Sequence, residues 1–124
     1  MKTDLTEIQQ SLQQSLTKHT PPLHIRKNNA STFEAAGTKE RMQGKQKVDG
    51  YYFASVVPKP KDIRLYFFPI YTHVDEFPSL SPELKKCLKG KSCFHFKKLS
   101  PELETEIDEM IAKGVAIYQK DDLI

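Results

Sequence analysis

The first candidate for binding chemistry in the sequence is a lysine segment, residues 85–98. Six of its fourteen residues are lysine and none is acidic. Such a local positive field attracts anionic partners, although lysines at helix ends and on edge strands also serve solubility and prevent edge-to-edge pairing. Four of them are our candidate ligand-binding lysines: Lys89, Lys91, Lys97 and Lys98. Because lysine lacks the bidentate geometry of arginine, we expect a small acidic ligand or an acidic protein partner, and no nucleic acid.

Aromatic residues form the second candidate for binding. Seven of the twelve aromatic residues lie between Tyr51 and Tyr71, in a segment that indicates two strands. Alternation along these strands places apolar side chains on both faces of the sheet. One face must be core, and the other is either covered or exposes an aromatic patch that can take a ligand or a second subunit. We expect Tyr66, Phe68 and His73 to line the ligand site.

Metal and catalytic chemistry have weaker signals. The only compact cluster of histidine and carboxylates, residues 73–76 (HVDE), could hold a hard metal or iron, but it is more typical of a solvated turn. Five acidic residues crowd positions 102–109, where the dipole of a helix start favours them. No hydrolase elbow, catalytic cysteine signature or phosphate-binding loop is present. We therefore predict a non-enzymatic protein with no catalytic residues, no metal ligands and no cofactor.

Composition limits the class of protein. The chain has 124 residues, of which 38% are hydrophobic and 28% charged, and it carries a formal net charge of +3. This predicts a single domain over residues 1–124. No stretch approaches the ~18 apolar residues of a membrane span, and residues 1–10 lack the apolar region of a secretory signal. We expect a cytoplasmic protein, a monomer or homodimer, whose two cysteines, Cys87 and Cys93, are reduced thiols.

Hydrophobic periodicity and start signals predict the elements that position these residues. The tetrapeptide SPEL occurs at 81–84 and again at 100–103, and in both places it is a strong helix start, with a serine N-cap followed by proline. The predicted elements are, in order, a helix over 4–18, strands over 23–29 and 32–36, a loop over 37–47, a hairpin of strands 50–57 and 63–71, a short helix from 81 to 88, a strand over 91–97 and a helix over 101–119. This order predicts an α+β fold, an antiparallel or mixed sheet of about five strands with helices packed on one face.

Face assignments then predict the core. Strict alternation in the first hairpin strand directs Tyr51, Phe53 and Val57 to one face and Tyr52, Ala54 and Val56 to the other. In the strand over 91–97, Phe94 and Phe96 point inward and Cys93 outward. The predicted core combines the inward sets with the helix stripes: Leu12, Leu16, Phe53, Val57, Leu65, Phe67, Phe94, Phe96, Leu103, Ile107 and Ile111.

Residues 52–118 resemble a known family. The segments YFASVVPKPKDIRLYFFPIY and SPELKKCLKGKSCFHFKKLSPEL, followed by a helix ending in IAKGVAIY, are similar to the YdhG-like family of small bacterial domains of unknown function. The resemblance implies a frataxin-like sandwich, and some family members are described as intracellular iron chaperones. The acidic ridge of frataxin-type iron binding has no counterpart in the first helix, so no metal ligand is carried over. We expect a binding domain for a small acidic ligand or a protein partner, with the iron chaperone as the alternative.

Overall fold

Apolar strands from the middle of the chain form the centre of a five-stranded antiparallel sheet. A computed structural model describes residues 1–124. Its helices are α1 (Leu5–Thr17), α2 (Pro69–Thr72), α3 (Pro82–Cys87) and α4 (Pro101–Lys120), with a 3₁₀ turn at Val74–Glu76. Its strands are β1 (His24–Asn28), β2 (Phe33–Ala36), β3 (Arg41–Gln43), β4 (Gln46–Val48), β5 (Tyr52–Pro58), β6 (Ile63–Phe67) and β7 (Cys93–Phe96). The predicted α+β class is confirmed, and every strand pair is antiparallel.

The large sheet has the strand order β1-β2-β5-β6-β7, so that β7 is one of its edges. Helices α1 and α4 pack against each other, and α1 also contacts β5 and β6. On the same side, the ring of Tyr118 in α4 makes an edge contact with that of Phe53 in β5. The helices therefore cover one face of the sheet, as predicted. None of the helices combines the length and the hydropathy needed to cross a membrane.

The β5 strand departs from strict alternation. Tyr52 and Ala54 pair with successive residues of β2, which leaves Phe53 as an extra residue in a β-bulge. The bulge directs Phe53, Ala54 and Val56 into the core, where none of them is exposed. Val57 lies outside the core cluster, so its predicted place there is wrong. The alternation rule fails here because one inserted residue reverses the sheet face to which all side chains on one side of the bulge point.

Two further boundaries differ from the prediction. Residues 37–47, predicted as a loop, include β3 and most of β4, which form a hairpin whose turn contains Gly44 at a φ of 64°. The strand predicted over 63–71 ends at Phe67, because Pro69 lacks the N–H of a ladder residue and instead takes the first position of α2. The chain therefore turns away from the sheet after Phe67.

One core of 26 buried residues joins the helices to the sheet, and it contains every predicted core residue except Val57. Phe94 and Phe96 are fully buried, whereas Cys93 and His95 are only half-buried, as the face assignment predicts. Both cysteines are free thiols, which confirms that Cys87 and Cys93 are unpaired.

Candidate functional site

A polar cleft of about 800 Å³ lies beside β7, between α3 and the start of α4. Four lysines line it, together with three acidic residues and five other residues. We call it the basic cleft, and its lining residues are Met1, Asp62, Glu83, Lys86, Cys87, Lys89, His95, Lys97, Lys98, Ser100, Glu102 and Leu103. Three of the predicted binding lysines, Lys89, Lys97 and Lys98, therefore meet in one place.

The lysines of the basic cleft carry charge that the protein does not neutralise. No lysine of the segment 85–98 forms an ion pair with a carboxylate within 4.0 Å. Two of the acidic residues that line the cleft are already engaged. Asp62 lies 3.2 Å from Arg64 Nε and 3.6 Å from His95 Nδ1, and Glu83 Oε1 accepts a hydrogen bond from Ser100 Oγ at 2.9 Å. The four lysines of the basic cleft outnumber its three acidic residues, so its lining keeps an excess of positive charge.

The two SPEL serines hold the walls of the basic cleft together. Ser81 Oγ accepts the Leu84 N–H of its own helix and donates to Glu106 Oε1 of α4 at 2.5 Å. The Ser81 N–H also donates to Glu106 Oε2, at 2.8 Å. Conversely, Ser100 is the N-cap of α4, and its hydroxyl donates to Glu83 of α3. Each N-cap serine is thus bound by a glutamate of the other helix, an arrangement that we call the reciprocal caps.

A second cleft, of about 610 Å³, opens on the other side of α3. We call it the apolar cleft, and its lining residues are Ile70, Tyr71, Val74, Phe77, Leu80, Lys85, Leu88, Gly90 and Lys91. The fourth predicted lysine, Lys91, lies here and not in the basic cleft. Its ammonium stands over the ring of Tyr71, 5.7 Å from the ring centre. The lysine segment is therefore divided between two sites.

The predicted aromatic residues lie in three different surroundings. Phe68 packs against Tyr71, with ring centres 5.6 Å apart, and so borders the apolar cleft without lining it. Tyr66 lies on the uncovered face of the sheet, where it pairs with Cys93 of β7. Neither the basic cleft nor the apolar cleft includes Tyr66, Phe68 or His73, so the structure does not bring these three together as the sequence predicted.

His73 belongs to a hydrogen-bonded chain at the end of α4. Its Nε2 lies 2.6 Å from Asp121 Oδ2 and its Nδ1 lies 2.8 Å from Thr72 Oγ1, which in turn lies 2.7 Å from the hydroxyl of Tyr118. Burial raises the pKa of Tyr118 well above its usual range. The chain gives the buried phenol a partner, because an unpaired buried hydroxyl is costly. Sequence reasoning missed it because Thr72 and Asp121 carry no motif.

The uncovered sheet face is polar around Tyr66 and aromatic toward its end. Ser55 pairs with Tyr66 in the ladder, and its hydroxyl lies 2.8 Å from that of Tyr52. Burial raises the pKa of Tyr52 to about 12. Tyr52 also contacts Phe68, with ring centres 5.4 Å apart. Tyr52 and Phe68, predicted for this face, are therefore half-buried against each other.

No three histidine, cysteine or acidic side chains approach one another closely enough to hold a metal ion. Asp75 and Glu76 are exposed on the 3₁₀ turn, and both carboxylate oxygens of Glu106 are occupied by Ser81. Glu106, one of the acidic residues near the start of α4, is therefore already bound to the N-cap residue of α3.

A ferrous titration tests the metal alternative. We expect anaerobic titration with Fe²⁺ to give no saturable uptake, because a hard cation needs several converging oxygen or nitrogen ligands. The double variants Asp75→Asn with Glu76→Gln and Glu102→Gln with Glu106→Gln should then behave like the wild type. Stoichiometric uptake that either double variant abolishes contradicts this expectation.

Comparisons with protein-family models, with curated proteins and with solved structures found no match for the chain. The YdhG-like resemblance therefore stays a prediction.

Proposed function

We propose that the protein is a non-enzymatic binding domain that takes an acidic partner, protein or small molecule, at the basic cleft. One observation carries the proposal: Lys86, Lys89, Lys97 and Lys98 converge on one concave surface without a carboxylate partner. Unpaired ammonium groups lining a cleft focus a positive potential that raises the encounter rate with anions. The iron-chaperone alternative stays a prediction of the resemblance, and no donor cluster supports it.

The reciprocal caps support the same proposal, because they make the cleft a rigid feature. They join α3, which carries Lys86, to the start of α4, which forms the opposite wall. A binding surface whose walls are already fixed loses little conformational entropy on binding. Lysines that served only solubility would have to be charged and exposed, but they would not have to line a cleft with fixed walls.

Charge reversal in the basic cleft tests the proposal. The test variant carries Glu at Lys86, Lys89, Lys97 and Lys98, and the probe is a fluorescein-labelled decamer of glutamate followed by stopped-flow anisotropy. We expect association to slow by at least about tenfold, since electrostatic steering contributes about 10- to 1000-fold to association rates. The difference should shrink as the salt rises from about 0.1 M to about 1 M, where the Debye length falls from about 10 Å to about 3 Å. Citrate, titrated by calorimetry, is the small-ligand probe.

A matched control separates the cleft from net charge. The control variant carries Glu at four exposed lysines remote from β7, which are Lys27, Lys45, Lys47 and Lys120. Both variants have the same net charge, and both should fold, because exposed charge changes usually alter stability by less than about 0.5 kcal/mol each. Equal losses of glutamate-decamer binding in the two variants, or no loss in either, would refute the basic cleft as the site.

A further inference from the structure

The apolar cleft has the size and position of a small-molecule site. Helix α2 and the 3₁₀ turn form one wall, and α3 with the loop before β7 forms the other. Its volume of about 610 Å³ lies within the range of about 300–1,000 Å³ that is typical of ligand clefts. Six of its nine lining residues are apolar or aromatic. This proportion is also typical of ligand sites, where a few polar groups fix the orientation of a mostly apolar body.

Two side chains of this cleft leave apolar surface in water. Tyr71 is 51% exposed and Val74 is 62% exposed, and they are two of only four large hydrophobic residues that the fold leaves exposed. Of the remaining apolar lining, Ile70 and Phe77 belong to the buried core, and Leu80 and Leu88 are partly buried against it. The cleft is therefore an opening of the core toward solvent, and covering it with an apolar group would remove that surface from water.

The charges that border the apolar cleft have one sign. Lys85 and Lys91 are its only charged lining residues, and neither pairs with a carboxylate. Lys91 is held over the Tyr71 ring by a cation–π contact, which places its ammonium directly at the edge of the apolar surface. An anionic group bound between the two lysines would therefore be continuous with an apolar body in the cleft.

We propose that the apolar cleft binds a small molecule with an apolar body and one carboxylate group, such as a medium-chain acyl or an aryl carboxylate. Charge complementarity selects the carboxylate, and the apolar lining selects the body. The site is independent of the function proposed for the basic cleft, because it uses Lys85 and Lys91 and none of the lysines of the basic cleft.

Three probes with one chain length test the proposal on the full protein. Decanoate below its critical micelle concentration is the test ligand, while decanol and decyltrimethylammonium present the same body without charge or with the opposite charge. Titration calorimetry should show decanoate binding about ten- to a hundredfold more tightly than decanol, since a hydrogen bond to a charged group contributes in this range. 2-Naphthoate, compared with decanoate, distinguishes an aryl from an alkyl body. Failure of both carboxylates to bind overturns the proposal.

Variants locate the binding to this cleft. Lys85→Gln with Lys91→Gln should reduce the affinity for the carboxylate to that for decanol, and Val74→Asp, at an exposed position, should weaken carboxylate binding further by repulsion. The matched control, Lys86→Gln with Lys89→Gln, changes the basic cleft only and should leave decanoate binding unchanged. Decanoate binding that is insensitive to the Lys85 and Lys91 changes would overturn the assignment. Binding of the glutamate decamer is measured separately, so the two proposals can fail independently.

Discussion

Replacing Phe67 with Ala is expected to lower the free energy of unfolding by about 3–5 kcal/mol. Phe67 is fully buried at the end of β6, and its ring makes edge contacts with Phe53 and Phe77, with ring centres 5.6 Å apart in each pair. Gly114 of α4 faces the same ring, and a Cβ at that position would stand 2.7 Å from Phe67 Cζ. The glycine thus allows helix and sheet to approach closely, and the removed ring would leave a cavity between two rigid elements.

Urea denaturation of the purified protein measures this loss, and Tyr71→Ala is its control. Tyr71 is also an aromatic residue four positions along the chain, but its side chain is half exposed. We expect the control to cost less than about 1 kcal/mol, because little buried contact is lost. If Phe67→Ala cost no more than Tyr71→Ala, the close packing of α4 on β6 at Gly114 would be contradicted.

The elements that the sequence predicted best are those with chemical start signals. Both SPEL serines cap helices at the expected positions, because a cap depends on local hydrogen bonds that neighbouring residues supply. The N-terminal helix likewise begins after Asp4, whose carboxylate accepts the Thr6 N–H. Local interactions of this kind are encoded within a few residues and can be predicted from a short window of sequence.

The features that escaped prediction depend on contacts between distant segments. Nothing within residues 37–47 is apolar enough to indicate a strand pair, and the β3–β4 hairpin is tied down by Arg41 and Lys39, which both bind Asp122 near the end of the chain. The bulge at Phe53 is likewise set by the register with β2, which lies fifteen or more residues earlier. A periodicity within one strand cannot show either of these partners.

The candidate site was predicted in composition but not in arrangement. The sequence identified the lysine segment, yet its division into a basic and an apolar cleft follows from α3, which runs between them with Lys86 facing one side and Lys85 the other. Likewise, Leu80 and Val74 gave no sequence signal for binding, because only tertiary packing opens a cleft beside them. Residue types therefore predicted the chemistry of the surface, and the packing of α3 decided its shape.

Removing both reciprocal caps is expected to destabilise the protein by about 2–3 kcal/mol, the second largest effect. Each Ser→Ala change removes an N-cap, which costs about 1 kcal/mol on average. The change also removes the hydrogen bond that the serine hydroxyl donates to a glutamate of the other helix, Glu106 or Glu83. Ser81→Ala with Ser100→Ala is the test variant, and Ser79→Ala, at an exposed serine next to α3, is the control, expected to change stability by less than about 0.5 kcal/mol.

A double-mutant cycle distinguishes the reciprocal caps from ordinary N-caps. Ser81→Ala and Glu106→Gln should show a coupling of about 0.5–3 kcal/mol, since residues that share hydrogen bonds are not additive. If Ser81 acts only as an ordinary N-cap, the losses of stability in the two single variants should add, and additive losses would mean that the contact between Ser81 and Glu106 does not contribute to stability.

Because the caps also fix the walls of the basic cleft, the double serine variant should bind the glutamate decamer more weakly although every lysine is intact. Loss of stability with unchanged binding would separate the caps from the site and leave the lysines alone responsible for recognition.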